Sequence, residues 1–110
     1  MADLPEATQE KIRQLQLMEQ ALQQLLVQKQ TFQLQLMEAE SALRELQSAT
    51  EAYKIVGNVM ILSKKEDLEK ELQDKKESVQ LRIASLERQE TKTREKAAAV
   101  QKEVLSAMGK

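Results

Sequence analysis

A chain of 110 residues with 41% hydrophobic and 32% charged content, two Gly, one Pro and one Phe has too few bulky side chains for a conventional globular core; rich in Gln, Leu, Ala and Glu, it has the composition of long helices or coiled coils. Seventeen basic against eighteen acidic residues leave a net charge of −1, so no chain-wide basic field attracts nucleic acid or an acidic membrane surface, and the absence of Cys removes disulfides and thiol chemistry. With no His, no Cys and no glycine-rich phosphate loop, the chain has almost nothing with which to perform catalysis, and nothing in it calls for a cofactor or a metal.

The first element in chain order is a helix over residues 5–48. Leu15, Met18, Leu22, Leu25, Lys29, Phe32, Leu36, Ala39, Leu43 and Leu46 recur at alternating steps of three and four, the spacing of a coiled-coil seam, with Lys29 its one charged member. Pro5 suits a first helical turn, where its missing amide costs nothing, and Gln47-Ser48-Ala49-Thr50 ends the pattern in small and polar residues.

Residues 52–62 break the helical period. Tyr53-Lys54-Ile55-Val56 and Val59-Met60-Ile61-Leu62 are rich in β-branched residues and flank Gly57-Asn58, a two-residue loop that predicts a β-hairpin with Val56 facing Val59, Ile55 facing Met60, Lys54 facing Ile61 and Tyr53 facing Leu62. One face then carries Tyr53, Ile55, Met60 and Leu62, the other Lys54, Val56, Val59 and Ile61. A lone ribbon of two strands is marginal in water, and its edges present unpaired amides and carbonyls. Copies of the hairpin from several subunits could close into a shared barrel and bury both faces, so Tyr53, Ile55, Val56, Val59, Met60, Ile61 and Leu62 are candidate assembly residues. The plainer alternative is that the hairpin only reverses the chain and packs on its own helix ends.

The third element occupies residues 63–108, with regular helix expected from about Lys64 to Met108. Ser63-Lys64-Lys65-Glu66 has capping-box spacing, and Gly109 stands where helices often end in the left-handed conformation. Its seam reads Leu72, Lys76, Val79, Ile83, Leu86, Glu90, Thr93, Ala97, Val100, Val104 and Ala107, with Leu68 one turn upstream. Each helix would be roughly 65 Å long at 1.5 Å per residue. Residues 1–50 carry net charge −3 and residues 63–110 net charge +2, which favours an antiparallel pairing of the two helices over pairing of like with like. Lys29, Lys76 and Glu90 read as gaps whose aliphatic stems lie along the seam while their heads reach water; a sharper reading has them loosening the coil locally or fixing its register. Such a hairpin of helices brings residues 1–17 and 98–110 together. Leu4, Ile12, Leu15 and Leu17, with Val100, Val104, Leu105 and Met108, are then either a small adaptable apolar surface or simply caps on the seam.

Helix, hairpin, helix, with Gln28-Lys29-Gln30, Glu51-Ala52-Tyr53-Lys54-Ile55-Val56-Gly57-Asn58, Glu71-Leu72 and Leu86-Glu87-Arg88-Gln89-Glu90 in that order, resembles the prefoldin family over nearly the whole chain. The single hairpin places the resemblance with the β class, most closely of archaeal type. It implies a mainly α subunit, an antiparallel two-helix coiled coil whose hairpin enters an intersubunit β-barrel within a hexamer of α-class and further β-class subunits. It further implies a cytoplasmic, ATP-independent holdase whose coiled-coil tips hold non-native polypeptide clients for transfer to a group II chaperonin, with no nucleic acid or membrane partner. The competing functional class is a structural coiled-coil adaptor that joins fixed partners through parallel pairing of its seams. No aliphatic run reaches the roughly 20 residues needed to span a bilayer, and no amino-terminal apolar segment reads as a signal peptide, so an intracellular location is expected.

Overall fold

A computed structural model describes residues 4–109 as α1 (Glu6–Ser48), β1 (Ala52–Val56), β2 (Val59–Ser63) and α2 (Lys65–Met108). Residues 1–3 and 110, part of the expected helix-end surface, lie outside the described residues. The chain divides into two compact units: one contains the chain up to Lys29 and everything from Ser85 onward, the other Gln30–Ala84.

In the first unit the two helices run antiparallel. The Lys11 ammonium lies 3.1 Å from the Glu103 carboxylate, and Lys29 lies 3.2 Å from Glu90, so residue numbers fall on α2 as they rise on α1. Seam residues Leu15, Met18, Leu22 and Leu25 are half-buried, as are Thr93, Ala97 and Val100, while Leu86 and Val104 are buried. The heptad continues upstream of Leu15: Thr8, one heptad earlier, is buried, and Leu4 is half-buried. Ala107, counted in the seam on spacing, is exposed, because the seam runs out against the first turn of α1.

Lys29 and Glu90 depart from the solvated-gap expectation. Their side chains are only 17% and 16% exposed, and the Lys29 ammonium donates to one Glu90 carboxylate oxygen while Arg94 donates to the other at 3.3 Å. Meeting a partner across the seam, neither head has to reach water. The Lys29 hydrogen bond, with help from Arg94 and from both positive charges, holds the Glu90 carboxyl below its ordinary value of 4.5 against the opposing effect of burial.

The second unit repeats the antiparallel pairing. The Arg82 guanidinium sits 5.4 Å from the centre of the Phe32 ring, and the Lys65 ammonium donates to the Gln47 carbonyl at 3.0 Å. Ala39, Leu46 and Val79 are buried here, with Leu36, Leu43, Leu72, Lys76 and Ile83 half-buried. The hairpin has the register expected from its sequence, extended by one further pair, Ala52 with Ser63.

That extra pair changes the start of α2. Ser63 is committed to the strand, and its hydroxyl donates to the Ile61 carbonyl at 3.3 Å instead of capping the helix. The capping box is therefore not formed; Lys64 takes the cap position, its carbonyl accepting from the Leu68 amide at 3.1 Å. At the other end Gly109 does not adopt the left-handed conformation, and its amide donates to the Leu105 carbonyl in the helical pattern. Gly57 alone among the described residues has positive φ, +61°. Positive φ at the first loop residue and not at Asn58 fits a type II′ turn, whose twist matches that of the strands.

Two outcomes follow from these details. Gly57→Ala should destabilise the folded chain by about 1–2 kcal/mol in denaturant unfolding, through backbone strain alone, since a Cβ there meets nothing within 4 Å, whereas Asn58→Ala should cost much less. A carboxyl whose folded value is depressed contributes stability above its unfolded value of 4.5 that disappears as pH falls through the folded value. The stability advantage of the native chain over Glu90→Gln should thus be full near neutral pH and shrink below pH 4.5, as read from denaturation midpoints across a pH series.

Candidate functional site

The ribbon formed by β1 and β2 combines three features. Tyr53, Ile55, Val56, Val59, Met60, Ile61 and Leu62 are all exposed, between 47% and 69% of each residue being open, and Ala52 is the one buried residue of either strand. In an antiparallel hairpin closed by a two-residue loop, the residues flanking the loop exchange both backbone bonds and the pattern alternates from there. Val56 with Val59, Lys54 with Ile61 and Ala52 with Ser63 thus face inward, while Tyr53, Ile55, Met60 and Leu62 turn their amides and carbonyls to the two open edges.

The two faces are not equivalent. On the first, Ala52 is buried and the Lys54 ammonium lies 2.9 Å from a Glu71 carboxylate oxygen, which ties the base of that face to α2. Both partners are about half exposed, so the contact contributes to orientation more than to stability. On the second face the Tyr53 hydroxyl donates to Glu51 at 3.0 Å, and Ile55, Met60 and Leu62 make the most open apolar surface of the ribbon. These same residues carry the outward-turned backbone. Beside β1 runs an open groove of about 580 Å³, floored by Ala42, Leu46, Leu68 and Leu72 and bordered by Glu45, Glu71 and Lys75.

The helix-end candidates separate by exposure. Leu17, Leu105 and Met108 are exposed, Leu4, Ile12, Leu15 and Val100 are half-buried, and Val104 is buried in the seam. All eight belong to the same compact unit, where the Lys11–Glu103 contact holds the two helices in register. Sequence reasoning missed Leu26, Val27, Leu34, Met37 and Leu81, which are also exposed; their spacing off the heptad seam is the signal that would have found them. No helix among the described residues is long and apolar enough to cross a membrane.

Comparison with known proteins accounts for this architecture. The profile of the prefoldin subunit family matches residues 9–110. The chain is 42% identical to the prefoldin subunit beta of Archaeoglobus fulgidus over 94% of its own length and 92% of that protein, and 32% identical to the prefoldin subunit beta of Methanococcoides burtonii over 98% and 95%. In three dimensions it superposes on the crystal structure of the prefoldin beta subunit from Thermococcus strain KS-1 with a TM-score of 0.90 at 36% identity, covering 97% of this chain and 96% of the other. A helix–hairpin–helix chain with an open apolar ribbon, matched along its length by sequence and by fold, belongs to the prefoldin subunit family.

Proposed function

We propose that this chain is a β-type subunit of a cytoplasmic hexamer, assembled through its hairpin with α-class and further β-class subunits, which holds unfolded polypeptides without ATP and passes them to a group II chaperonin. The observation that carries this reading is the ribbon: seven large apolar side chains and two backbone edges, all open in the single chain. Such a surface is an interaction site by its physics, because isolated two-stranded ribbons are marginal and open edges invite further strands. Closure into a barrel with neighbouring hairpins would satisfy both edges at once.

Client capture is assigned to the helix ends, where Leu17, Leu105 and Met108 are exposed beside the half-buried Leu4, Ile12, Leu15 and Val100. Val104, buried in the seam, would join them only when the terminal turns open. A flexible thioether and branched aliphatic groups suit contacts with clients of no fixed sequence. The adaptor alternative calls for parallel pairing of seams between chains, and the contacts of Lys11 with Glu103 and of Lys29 with Glu90 within one chain argue against it.

The assembled complex should slow aggregation of a chemically unfolded protein in the absence of nucleotide; a complex without that effect would end the chaperone reading. Ile55→Lys with Met60→Lys should weaken assembly by about 2 kcal/mol or more per interface, seen as loss of the hexamer in native mass measurement, because each charge would be buried unpaired. Removal of the last dozen residues should leave the hexamer intact and reduce client retention. If both variants lost the same property, the division between assembly ribbon and capturing ends would be wrong.

A further inference from the structure

We propose that Lys29 and Glu90 select the orientation and register of the two helices, acting as a specificity device within the seam that adds no stability over an apolar pair in the same two positions. Both occupy heptad positions whose immediate neighbours along the seam are apolar or small, Leu25 and Phe32 on one helix and Leu86 and Thr93 on the other. Their charged groups meet at 3.2 Å with little exposure, and Arg94 takes the second carboxylate oxygen at 3.3 Å, so each charge has a partner in this one arrangement.

The parallel and the shifted pairings of the same seams lose that match. A parallel pairing of α1 with α1 of another copy sets Lys29 against Lys29, and a parallel pairing of α2 with α2 sets Glu90 against Glu90. Sliding the antiparallel pair by one heptad places Lys29 opposite Ile83 or Ala97, and Glu90 opposite Leu22 or Leu36. In each case a charge is left against like charge or against an apolar side chain, a penalty that the correct pairing avoids. The exposed contacts cannot discriminate in this way: Lys11 and Glu103 are about half open, and water solvates either of them in any register. A polar group at a core position that narrows the choice of pairing at some expense in stability is a known property of coiled coils.

The absence of Cys permits a direct test, since spin labels can be attached at cysteines introduced for the exposed Gln14 and Gln101 of the full chain. The native background should give one narrow intrachain distance. Lys29→Leu with Glu90→Leu should melt at the same temperature or higher, yet broaden the distribution or split it into several distances. Restoring charge in reverse, with Lys29→Glu, Glu90→Lys and Arg94→Glu, should return a single distance, while Thr93→Leu, which adds apolar seam without touching the pair, should leave it narrow. A double-leucine variant that melts lower but keeps the native distance would show an ordinary stabilising bridge and overturn the proposal. So would a reversed variant that stays broad.

Discussion

A ribbon of two five-residue strands cannot satisfy its own backbone. Alternation of inward and outward pairs leaves Tyr53, Ile55, Met60 and Leu62 with amides and carbonyls turned to the edges, and the same four residues form the more open apolar face. Hydrogen-bonding capacity and apolar area are thus left open by the same residues. A neighbouring strand answers both at once, whereas an apolar side chain laid over the ribbon answers only the second. This coupling makes strand pairing between subunits the physically favoured way to complete the chain, and under the proposed function it is what would place the helices in the assembly.

The helices solve a different problem. Their seam is narrow, with few residues buried, and the burial that holds them comes from many half-buried side chains in series instead of a thick core. A narrow seam of Leu, Ala and Val is permissive about what it pairs with. Lys29 and Glu90 make it less so, and Lys54 with Glu71 performs a comparable orienting task at the base of the ribbon. Polar contacts here determine geometry, while apolar burial supplies the stabilising free energy.

Much of this was legible in the sequence because period and turn chemistry are local. The heptads placed the seam, and Gly57-Asn58 between β-branched runs set the hairpin register pair by pair. What escaped was decided by contacts across the chain or by competition between neighbouring elements. Ser63 reads equally well as the last strand residue and as a helix cap, and pairing with Ala52 settled it in favour of the strand. Lys29 and Glu90 each look like a flaw in a helix when read alone; only their meeting across the seam makes them a pair. Gly109 carried a capping signal that the backbone does not use. At the helix ends, spacing separated Ile12, Leu17, Leu105 and Met108 from the seam, yet Ile12 is half-buried like its seam neighbours, and spacing could not say that Val104 would be buried while Val100 is only half so.

Amide hydrogen exchange resolved at single residues addresses the unfinished ribbon most directly. In the isolated chain the amides of Tyr53, Ile55, Met60 and Leu62 should exchange rapidly while those of Val56, Val59, Lys54 and Ile61 are slower; in the assembled complex all eight should be protected. Rapid exchange of the four edge amides in the complex would contradict the account, because it would mean that the edges stay open and that subunits are joined by something other than strand pairing.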